Sequence, residues 1–380
     1  RLSLVGSEMC IRDSLPTIPA MKILLANPRG FCAGVHMAID VVDQVLELYP
    51  GRTVYVFHEI VHNMHVVKRF VERGVIFVEE LDEVPEGSIV VFSAHGVSPA
   101  VREQARSRNL TAVDATCPLV TKVHNEAIRY AKQGYDILLV GHADHQEVVG
   151  TRGEAPQAIQ VVECPEDIAA LNIKDPNRIA YLTQTTLSTD DAGVIIDAIR
   201  GAFPNLKEPP SSDICYATTN RQVAVRQIAP ECDLVLVVGS KNSSNSVRLT
   251  EIAANVGVHA YLLDDVSELK EEWFAHVKGG PELATVLVTA GASAPEDLVA
   301  DLCRTLLRRY GGNGQEGIPY GIEQRDVFRE DEEFGLPASL KKLMREEGIN
   351  PEARRIRVGS YDLTEELYGA VPLTVGGKLV

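Results

Sequence analysis

Three cysteines in unusual loops are the residues of this sequence best suited to chemistry. Cys32 lies between two glycines, Cys117 is followed directly by Pro118, and Cys215 stands just before a helical pattern. Glycine permits close backbone approach, and proline stiffens the turn that presents a thiol. A helix N-terminus also stabilises a thiolate through its dipole and free amides. We therefore interpret these cysteines as metal ligands, with structural packing residues as the alternative.

Three thiolates are one ligand short of a closed tetrahedral site. Either a histidine completes a zinc site, or an iron–sulfur cluster keeps one iron open for a substrate. An open iron acts as a Lewis acid and also delivers electrons, whereas zinc does only the former. The residues by themselves leave both metals open. We interpret Cys164, Cys232 and Cys303 as small apolar fillers because they lie in ordinary helix or strand-edge sequence.

Polar donors follow several predicted strands, and in parallel sheets ligands bind beyond the carboxyl ends of strands. Loop histidines follow three strands. Hydroxyl and amide donors follow two more, near helix N-termini, which bind phosphate through free amides and the dipole. These residues are His62, His95, His145, Ser243, Ser244, Asn245 and Ser293. Plain N-capping is the alternative for any single serine or asparagine. Together the set predicts a pocket of neutral donors suited to a compact anion.

Five further histidines are weaker candidates for this pocket. His58 and His142 share the loops of the first set, but their short-range spacing turns them away from it. His36, His65 and His124 fall within helical patterns, which favours surface or packing positions.

One carboxylate stands out among the acidic residues of these loops. Glu147 comes two positions after His145 and would serve as a proton donor if it were partly desolvated. Asp144 in the same loop is the competing candidate. Thr185, at the end of another predicted strand, is placed to hydrogen-bond a substrate hydroxyl, although a threonine there is usually structural.

Short apolar runs alternate with helical patterns along most of the chain. The runs that we interpret as buried strands are 22–26, 54–57, 89–92, 136–140, 179–182, 234–238 and 285–288. Strands alternating with helices predict an α/β fold of parallel sheets covered on both faces.

The spacing of the three unusual cysteines indicates internal repetition. They are separated by roughly the length of one small domain each, and each interval holds two or three strand–loop–helix units. We therefore predict three similar lobes, with the first at 21–116, the second at 117–212 and the third at 213–309.

Both ends of the chain differ in character from the lobes. Residues 1–20 show neither a signal-peptide pattern nor a helical face, and we interpret them as a non-native extension with Met21 as the natural start. Residues 310–380 are predicted to form a C-terminal tail, in which 336–347 has the pattern of one amphipathic helix. Beyond residue 352 no period is clear.

Bulk properties limit the classes of protein. The chain has 380 residues, 45% of them hydrophobic, and a net charge of −16, which argues against a general nucleic-acid binder. No apolar run is long enough to span a bilayer. Seven irregularly spaced cysteines without a secretory leader argue against a disulfide framework and favour the cytoplasm.

Four motifs carry a resemblance to a known family. They are NPRGFCAGV (27–35), SAHGV (93–97), ATCPLV (115–120) and GSKNSSNS (239–246), and the loops at His62, His145, Thr185, Cys215 and Ser293 match in the same order. With these motifs the chain resembles the 4-hydroxy-3-methylbut-2-enyl diphosphate reductase family from Met21 to about Arg309.

The resemblance implies a fold, a cofactor and a set of site residues. It implies three lobes in pseudo-threefold arrangement around a central cavity, with one 4Fe–4S cluster held by Cys32, Cys117 and Cys215 and a fourth iron left open. It implies that the seven polar donors of the predicted pocket hold the diphosphate. Glu147 would relay protons and Thr185 would contact the substrate hydroxyl.

The implied reaction is a two-electron reductive loss of that hydroxyl, which yields isopentenyl and dimethylallyl diphosphates in the last step of the methylerythritol phosphate route. The implied partners are the diphosphate substrate and a ferredoxin or flavodoxin-type electron donor, with the chain as a monomer or homodimer. Two other functions compete with this one: a zinc-dependent hydrolase with Cys and His ligands, and a non-catalytic redox sensor built on the same cluster.

Overall fold

A computed structural model of the protein describes residues 21–311, 321–351, 373–375 and 378–379. Strands alternate with helices throughout, and the strands form three sheets in which every pairing except the last is parallel. The α/β architecture of three helix-flanked parallel sheets is therefore confirmed. The interpretation of residues 1–20 as an extension lies outside the described residues.

The first sheet lies in the first predicted lobe and has the order β3-β2-β4-β5. In chain order, the helices and strands from the first described residue to the last strand of this sheet are β1 (Lys22–Asn27), α1 (Ala33–Leu48), β2 (Val54–Phe57), α2 (Met64–Glu72), β3 (Ile76–Val78), β4 (Ile89–Phe92), α3 (Pro99–Ser107) and β5 (Thr111–Asp114). Separate apolar clusters cover the two faces of this sheet, with Val56 and Val91 in one and Phe57 and Val90 in the other.

The second sheet has three strands in the order β7-β6-β8. Its elements are α4 (Pro118–Lys132), β6 (Asp136–Val140), α5 (Gln146–Glu154), β7 (Ile159–Val162), β8 (Ile179–Thr183) and α6 (Thr189–Ala202). All five residues of β6 are buried. Side chains alternate along it between two apolar clusters, because successive residues of a strand face opposite sides.

The third sheet is the largest, with the order β10-β9-β11-β1-β12-β13-β14. Its own elements are α7 (Tyr216–Ile228), β9 (Leu234–Val238), α8 (Ser244–Asn255), β10 (His259–Leu263), β11 (Thr285–Ala290), α9 (Glu296–Tyr310), β12 (Gly321–Asp326), β13 (Leu373–Val375) and β14 (Lys378–Leu379). Short 3-10 turns lie at Leu81–Glu83, Pro165–Ala170, Ala229–Glu231, Val266–Glu268, Glu271–Phe274 and Pro281–Leu283.

Strand β1 lies in this third sheet although it is the first strand of the chain. Ile23 pairs in parallel with Val286 of β11 on one side and with Ile322 of β12 on the other. The loop that carries Cys32 therefore leaves the third sheet beside the loop that follows β11. The residue boundaries of the three lobes stay a prediction.

The C-terminal segment returns to the first lobe. Its amphipathic helix is confirmed as α10 (Ala338–Glu346), whose buried Leu340 and Met344 join the apolar cluster of the first sheet. The Ser339 hydroxyl accepts a hydrogen bond of 3.2 Å from the backbone N–H of Asp114. Residues 327–337 must therefore cross from the third sheet to the first lobe. Within the described ranges, no helix is long and apolar enough to cross a membrane.

Candidate active site

A central cavity brings together residues from all three lobes. It holds about 750 Å³ of empty space, its open mouth included. Every site residue predicted from the sequence lines it: Cys32, His62, His95, Cys117, His145, Glu147, Thr185, Cys215, Ser243, Ser244, Asn245 and Ser293. The structure brings these residues together at the carboxyl-end rim where the sheets meet.

Each predicted ligand cysteine stands at the N-terminus of a helix. Cys32, Cys117 and Cys215 are the N-cap residues of α1, α4 and α7. Their backbone N–H groups donate to the carbonyls of Ala292, Ala94 and Thr185 at 3.1, 3.0 and 3.0 Å. The backbone of each cysteine is thus fixed to another loop at the cavity rim.

All three thiols line the cavity, and Gly34, which has no side chain, lies beside two of them. A Cβ added at Gly34 would lie 2.6 Å from Cys117 Sγ and 3.9 Å from Cys32 Sγ. Burial raises the pKa of all three thiols, and that of Cys215 rises to about 11. Helix-terminal backbone N–H groups act in the opposite direction but are outweighed. A metal is the usual means of holding buried thiolates, because its charge replaces the lost hydration.

The donor set fits an extended metal cluster better than a single ion. Within the described part of the chain, no three His, Cys, Asp or Glu side chains are grouped closely enough to hold one metal ion. A zinc ion needs its ligand atoms about 2.0–2.3 Å from one point. Soft thiolates bind zinc as well as iron–sulfur clusters, so the lack of a single-ion grouping among the described residues is what favours a larger cluster held by three helix N-termini. This geometry disfavours the zinc alternative.

Three histidines form one wall of the cavity. The His62 and His95 rings are stacked with centroids 4.1 Å apart, and His145 meets them edge-on at 5.6 and 5.9 Å. His145 Nδ1 accepts the backbone N–H of Glu147 at 3.2 Å, so the neutral ring carries its proton on Nε2. Burial and the neighbouring imidazoles lower the pKa of His145 to about 4 and that of His95 well below its usual value. His95 and His145 are therefore neutral donors at pH 7.

Hydroxyl and amide groups complete this wall around the start of α8. Ser243 Oγ lies 3.3 Å from Ser293 Oγ, which donates to the His62 carbonyl at 2.9 Å. Asn245 Oδ1 accepts from the Ala292 backbone N–H at 2.7 Å, and its amide nitrogen donates to Thr218 Oγ1 at 3.4 Å. In the described part of α8, the Ser243 side chain makes no capping hydrogen bond although Ser243 is the N-cap residue. Plain N-capping therefore does not explain this serine.

Glu147 and Thr185 form a hydrogen-bonded pair in the cavity wall, next to His145 and Cys215. Glu147 is 2% exposed, and its two carboxyl oxygens accept the Thr185 backbone N–H at 2.6 Å and the Thr185 hydroxyl at 2.8 Å. Burial raises the pKa of Glu147 to about 7 in spite of these two hydrogen bonds. The carboxyl group is thus poised to hold or release a proton near neutral pH. Asp144, the competing candidate, is exposed.

The weaker candidates lie elsewhere, as expected. His58 and His142 pair with Glu79 and Glu163 at 2.7 and 3.8 Å and do not line the cavity. His124 is buried, and its Nδ1 lies 3.0 Å from Glu154 on α5.

Sequence reasoning missed several cavity residues. Tyr216 and Thr218 had a signal that was overlooked, since they directly follow Cys215 in its helix. Thr218 donates its backbone N–H to Cys215 Sγ at 3.4 Å. Phe334 had no signal, because only tertiary contacts bring the C-terminal segment to the cavity.

Fold and site together define an α/β protein whose central cavity gathers three thiols, a set of neutral donors and a buried carboxyl group. The chain belongs to the LytB protein family, which matches residues 23–307. Proteins of this family are iron–sulfur proteins.

Several relatives are similar over most of their length. The 4-hydroxy-3-methylbut-2-enyl diphosphate reductase of Acidothermus cellulolyticus is 53% identical over 88% of this chain and 94% of its own. The enzyme of that name from Rhodococcus jostii is 55% identical over 84% and 91%. The solved E-1-hydroxy-2-methyl-but-2-enyl-4-diphosphate reductase from Plasmodium falciparum superposes with a TM-score of 0.79 at 38% identity, covering 87% of this chain and all of that one.

Proposed function

We propose that the protein is a 4-hydroxy-3-methylbut-2-enyl diphosphate reductase, which completes the methylerythritol phosphate route to isopentenyl and dimethylallyl diphosphates. The observation that carries this proposal is the convergence of three thiols, a neutral His/Ser/Asn cage and a buried carboxyl group on one cavity. Each of these parts matches one demand of the reaction: electrons, anion binding and protons.

The three cysteines are proposed to hold one 4Fe–4S cluster. Cys32, Cys117 and Cys215 supply three thiolates, and the cavity contains no fourth cysteine among its lining residues. When bound, such a cluster supplies electrons one at a time and an open iron that polarises an oxygen ligand. Gly34, which lacks the side chain that would meet Cys117 Sγ, leaves room for it.

The diphosphate is proposed to bind the cage of His62, His95, His145, Ser243, Ser244, Asn245 and Ser293. Neutral N–H and O–H donors satisfy phosphate oxygens, and the N-terminus of α8 adds its dipole. Because His95 and His145 are already desolvated, they lose little hydration when the anion enters. Holding the diphosphate there fixes the substrate at one end and leaves the hydroxyl end to reach the thiol side.

Glu147 and Thr185 are proposed to handle the hydroxyl and its proton. The substrate C–O bond breaks, the oxygen leaves as water after taking up one proton, and two electrons with a second proton form the new C–H bond. Protonated Glu147 supplies a proton at Oε1 or Oε2. The Thr185 hydroxyl contacts the substrate hydroxyl and is held in place by Glu147 at 2.8 Å.

Ligand binding should be accompanied by proton uptake at His145. Its pKa is about 4 in the free cavity, and a bound anion raises the pKa of a nearby imidazole, so the ring gains a proton between the two values. Calorimetry of isopentenyl diphosphate binding at pH 5.5, in two buffers of different ionisation enthalpy, should show an uptake of about half a proton more in the wild type than in His145→Gln. His259→Gln, at an exposed position of β10 outside the cavity, should match the wild type; an unchanged uptake in His145→Gln would refute the assignment.

Gly34→Ala should block the cluster without harming the fold. The new Cβ would overlap Cys117 Sγ, while the helical backbone accepts alanine more readily than glycine by about 1 kcal/mol. We expect bound iron to fall at least about tenfold, with the apoprotein still cooperatively folded because the Cys117 thiol is the end of a side chain that can turn into the cavity. Gly193→Ala in α6, where a Cβ meets nothing within 4 Å, is the matched control and should keep its iron. Wild-type iron content in Gly34→Ala would contradict the placement of the cluster.

Turnover tests the proposed function. Anaerobic protein with reduced viologen should convert (E)-4-hydroxy-3-methylbut-2-enyl diphosphate to isopentenyl and dimethylallyl diphosphates, detected by mass spectrometry. A brown protein that yields neither product would be a sensor, and a colourless protein with zinc would be the hydrolase. We further propose that a ferredoxin or flavodoxin-type protein replaces viologen in the cytoplasm, and that the enzyme is a monomer or homodimer.

A further inference from the structure

One fully buried cation lies close to the thiols and has no part in the proposed reaction. Arg221 projects from α7, six positions after Cys215, and is 0% exposed. Its Nη2 donates to the Gly30 carbonyl at 2.8 Å and its Nη1 to the Ala217 carbonyl at 2.9 Å. Gly30 belongs to the Cys32 loop, and Ala217 to the first turn of the Cys215 helix. One guanidinium group therefore ties together the segments of two proposed ligands.

The partner of Arg221 comes from the C-terminal segment. The Glu330 carboxyl oxygens accept from Nη1 at 3.1 and 3.2 Å, and the Asn220 amide donates to the same carboxyl at 3.1 Å. Four positions further along, Phe334 lines the cavity. The segment between the third sheet and α10 thus contributes both a charge and part of the cavity wall.

Hydrogen bonding alone does not account for the burial of the Arg221 side chain. Among the described residues, Arg221 Nε has no hydrogen-bond partner, and a buried donor left unpaired costs about 1–3 kcal/mol. Replacing a buried ion pair by apolar side chains is often neutral or stabilising. A cation kept in this position therefore points to an electrostatic role at the site that it borders.

The two charges act on the thiol site in opposite directions. The Arg221 guanidinium donates to the carbonyl of Gly30, two residues before Cys32, and the Glu330 carboxylate is paired with it at 3.1 Å, so both charges lie beside the loop that carries this thiol. Reduction adds a negative charge to a cluster, so a nearby cation favours the reduced state and a nearby anion opposes it.

We propose that Arg221 is a positioning residue for the Cys32 and Cys215 segments, and that its pairing with Glu330 sets how readily the cluster they hold is reduced. This inference rests on the proposed cluster and deepens it: the C-terminal segment takes part in electron uptake. Net charge at the Arg221–Glu330 pair is the controlling quantity.

Glu330→Gln tests the proposal because it removes one negative charge and keeps an oxygen that can accept from Arg221. At a fixed viologen potential, the ratio of reduced to oxidised cluster should rise about threefold to tenfold, the effect of one charge at an effective dielectric constant near 20. Iron and sulfide content should equal that of the wild type. The ratio is read by electron paramagnetic resonance and absorbance, so turnover is not needed.

Glu333→Gln is the matched control, since it makes the same charge change at an exposed position of the same segment. Arg221→Lys keeps the positive charge and should hold the ratio within about twofold of the wild type. Less iron should bind, because lysine cannot reproduce the two guanidinium nitrogens that donate to Gly30 and Ala217. Equal ratios in Glu330→Gln and Glu333→Gln would overturn the proposal, as would loss of the cluster from Glu330→Gln. Absence of a cluster from the wild type would instead refute the proposed function, and this inference with it.

Discussion

Glu147→Gln should lower kcat by about 10²–10⁴-fold while the cluster and diphosphate binding are kept, because the amide cannot supply a proton. In the wild type, burial raises the Glu147 pKa to about 7. The carboxyl is therefore protonated below pH 7 and loses its proton as the pH rises, so kcat should decline above about pH 7. The variant should lack that decline. The measurement is viologen-driven turnover between pH 6 and 9, with iron content determined on the same samples.

Asp144→Asn is the matched control for this prediction. It makes the equivalent change in the same loop at an exposed carboxylate, and should leave kcat and its pH profile unchanged. Full activity in Glu147→Gln, or an equal loss in Asp144→Asn, would contradict the assignment of Glu147 as proton donor.

Cys117→Ser should lose most of the cluster. A serine hydroxyl is a poorer iron ligand than a thiolate, and Cys117 faces both Cys32 and the gap at Gly34. We expect at least about a tenfold loss of iron and sulfide after anaerobic purification, since even changes beyond the ligands typically cost 10–100-fold in affinity. Turnover should fall with the iron. The fold should survive, because the backbone N–H of residue 117 still donates to Ala94.

Cys164→Ser provides the comparison for the ligand assignment. Cys164 is also followed by a proline but lies outside the cavity, so its replacement should leave the iron content unchanged. An intact four-iron cluster in Cys117→Ser would show that this thiol is not a ligand.

Much of the architecture can be predicted from the sequence because the patterns that indicate strands, loops and helices are local. Short apolar runs, each followed by polar loops and a helical period, suffice to predict parallel sheets with sites at their carboxyl ends. Loop position also separates His62, His95 and His145 from the helical His36, His65 and His124, and short-range spacing separates them from His58 and His142, which share their loops. The α10 pattern is local in the same sense, with Leu340 and Met344 one turn apart.

What the sequence does not predict depends on contacts between distant segments. Nothing in residues 22–27 indicates that β1 inserts between β11 and β12, because a buried parallel strand has the same continuous apolar pattern in any sheet. Phe334 and Glu330 belong to a segment with an acidic, unpatterned sequence, and only the fold brings them to the cavity and to Arg221.

The pKa of the Cys215 thiol is a second property that the local sequence does not predict. The helix N-terminus behind Cys215 was expected to stabilise a thiolate, and its Thr218 hydrogen bonds do lower the pKa. Burial has the larger effect, and the pKa is raised to about 11. Desolvation is a property of the assembled cavity, so no single helix pattern reveals it.

The iron environment in the presence of substrate tests the central claim most directly. Mössbauer spectra of anaerobic, ⁵⁷Fe-enriched protein should show irons in a ratio of about three to one, with the three thiolate-bound irons distinct from the open one. Adding (E)-4-hydroxy-3-methylbut-2-enyl diphosphate should shift the signal of the single iron and leave the other three nearly unchanged. Four equivalent irons, or a single-iron signal that the substrate does not move, would contradict the account.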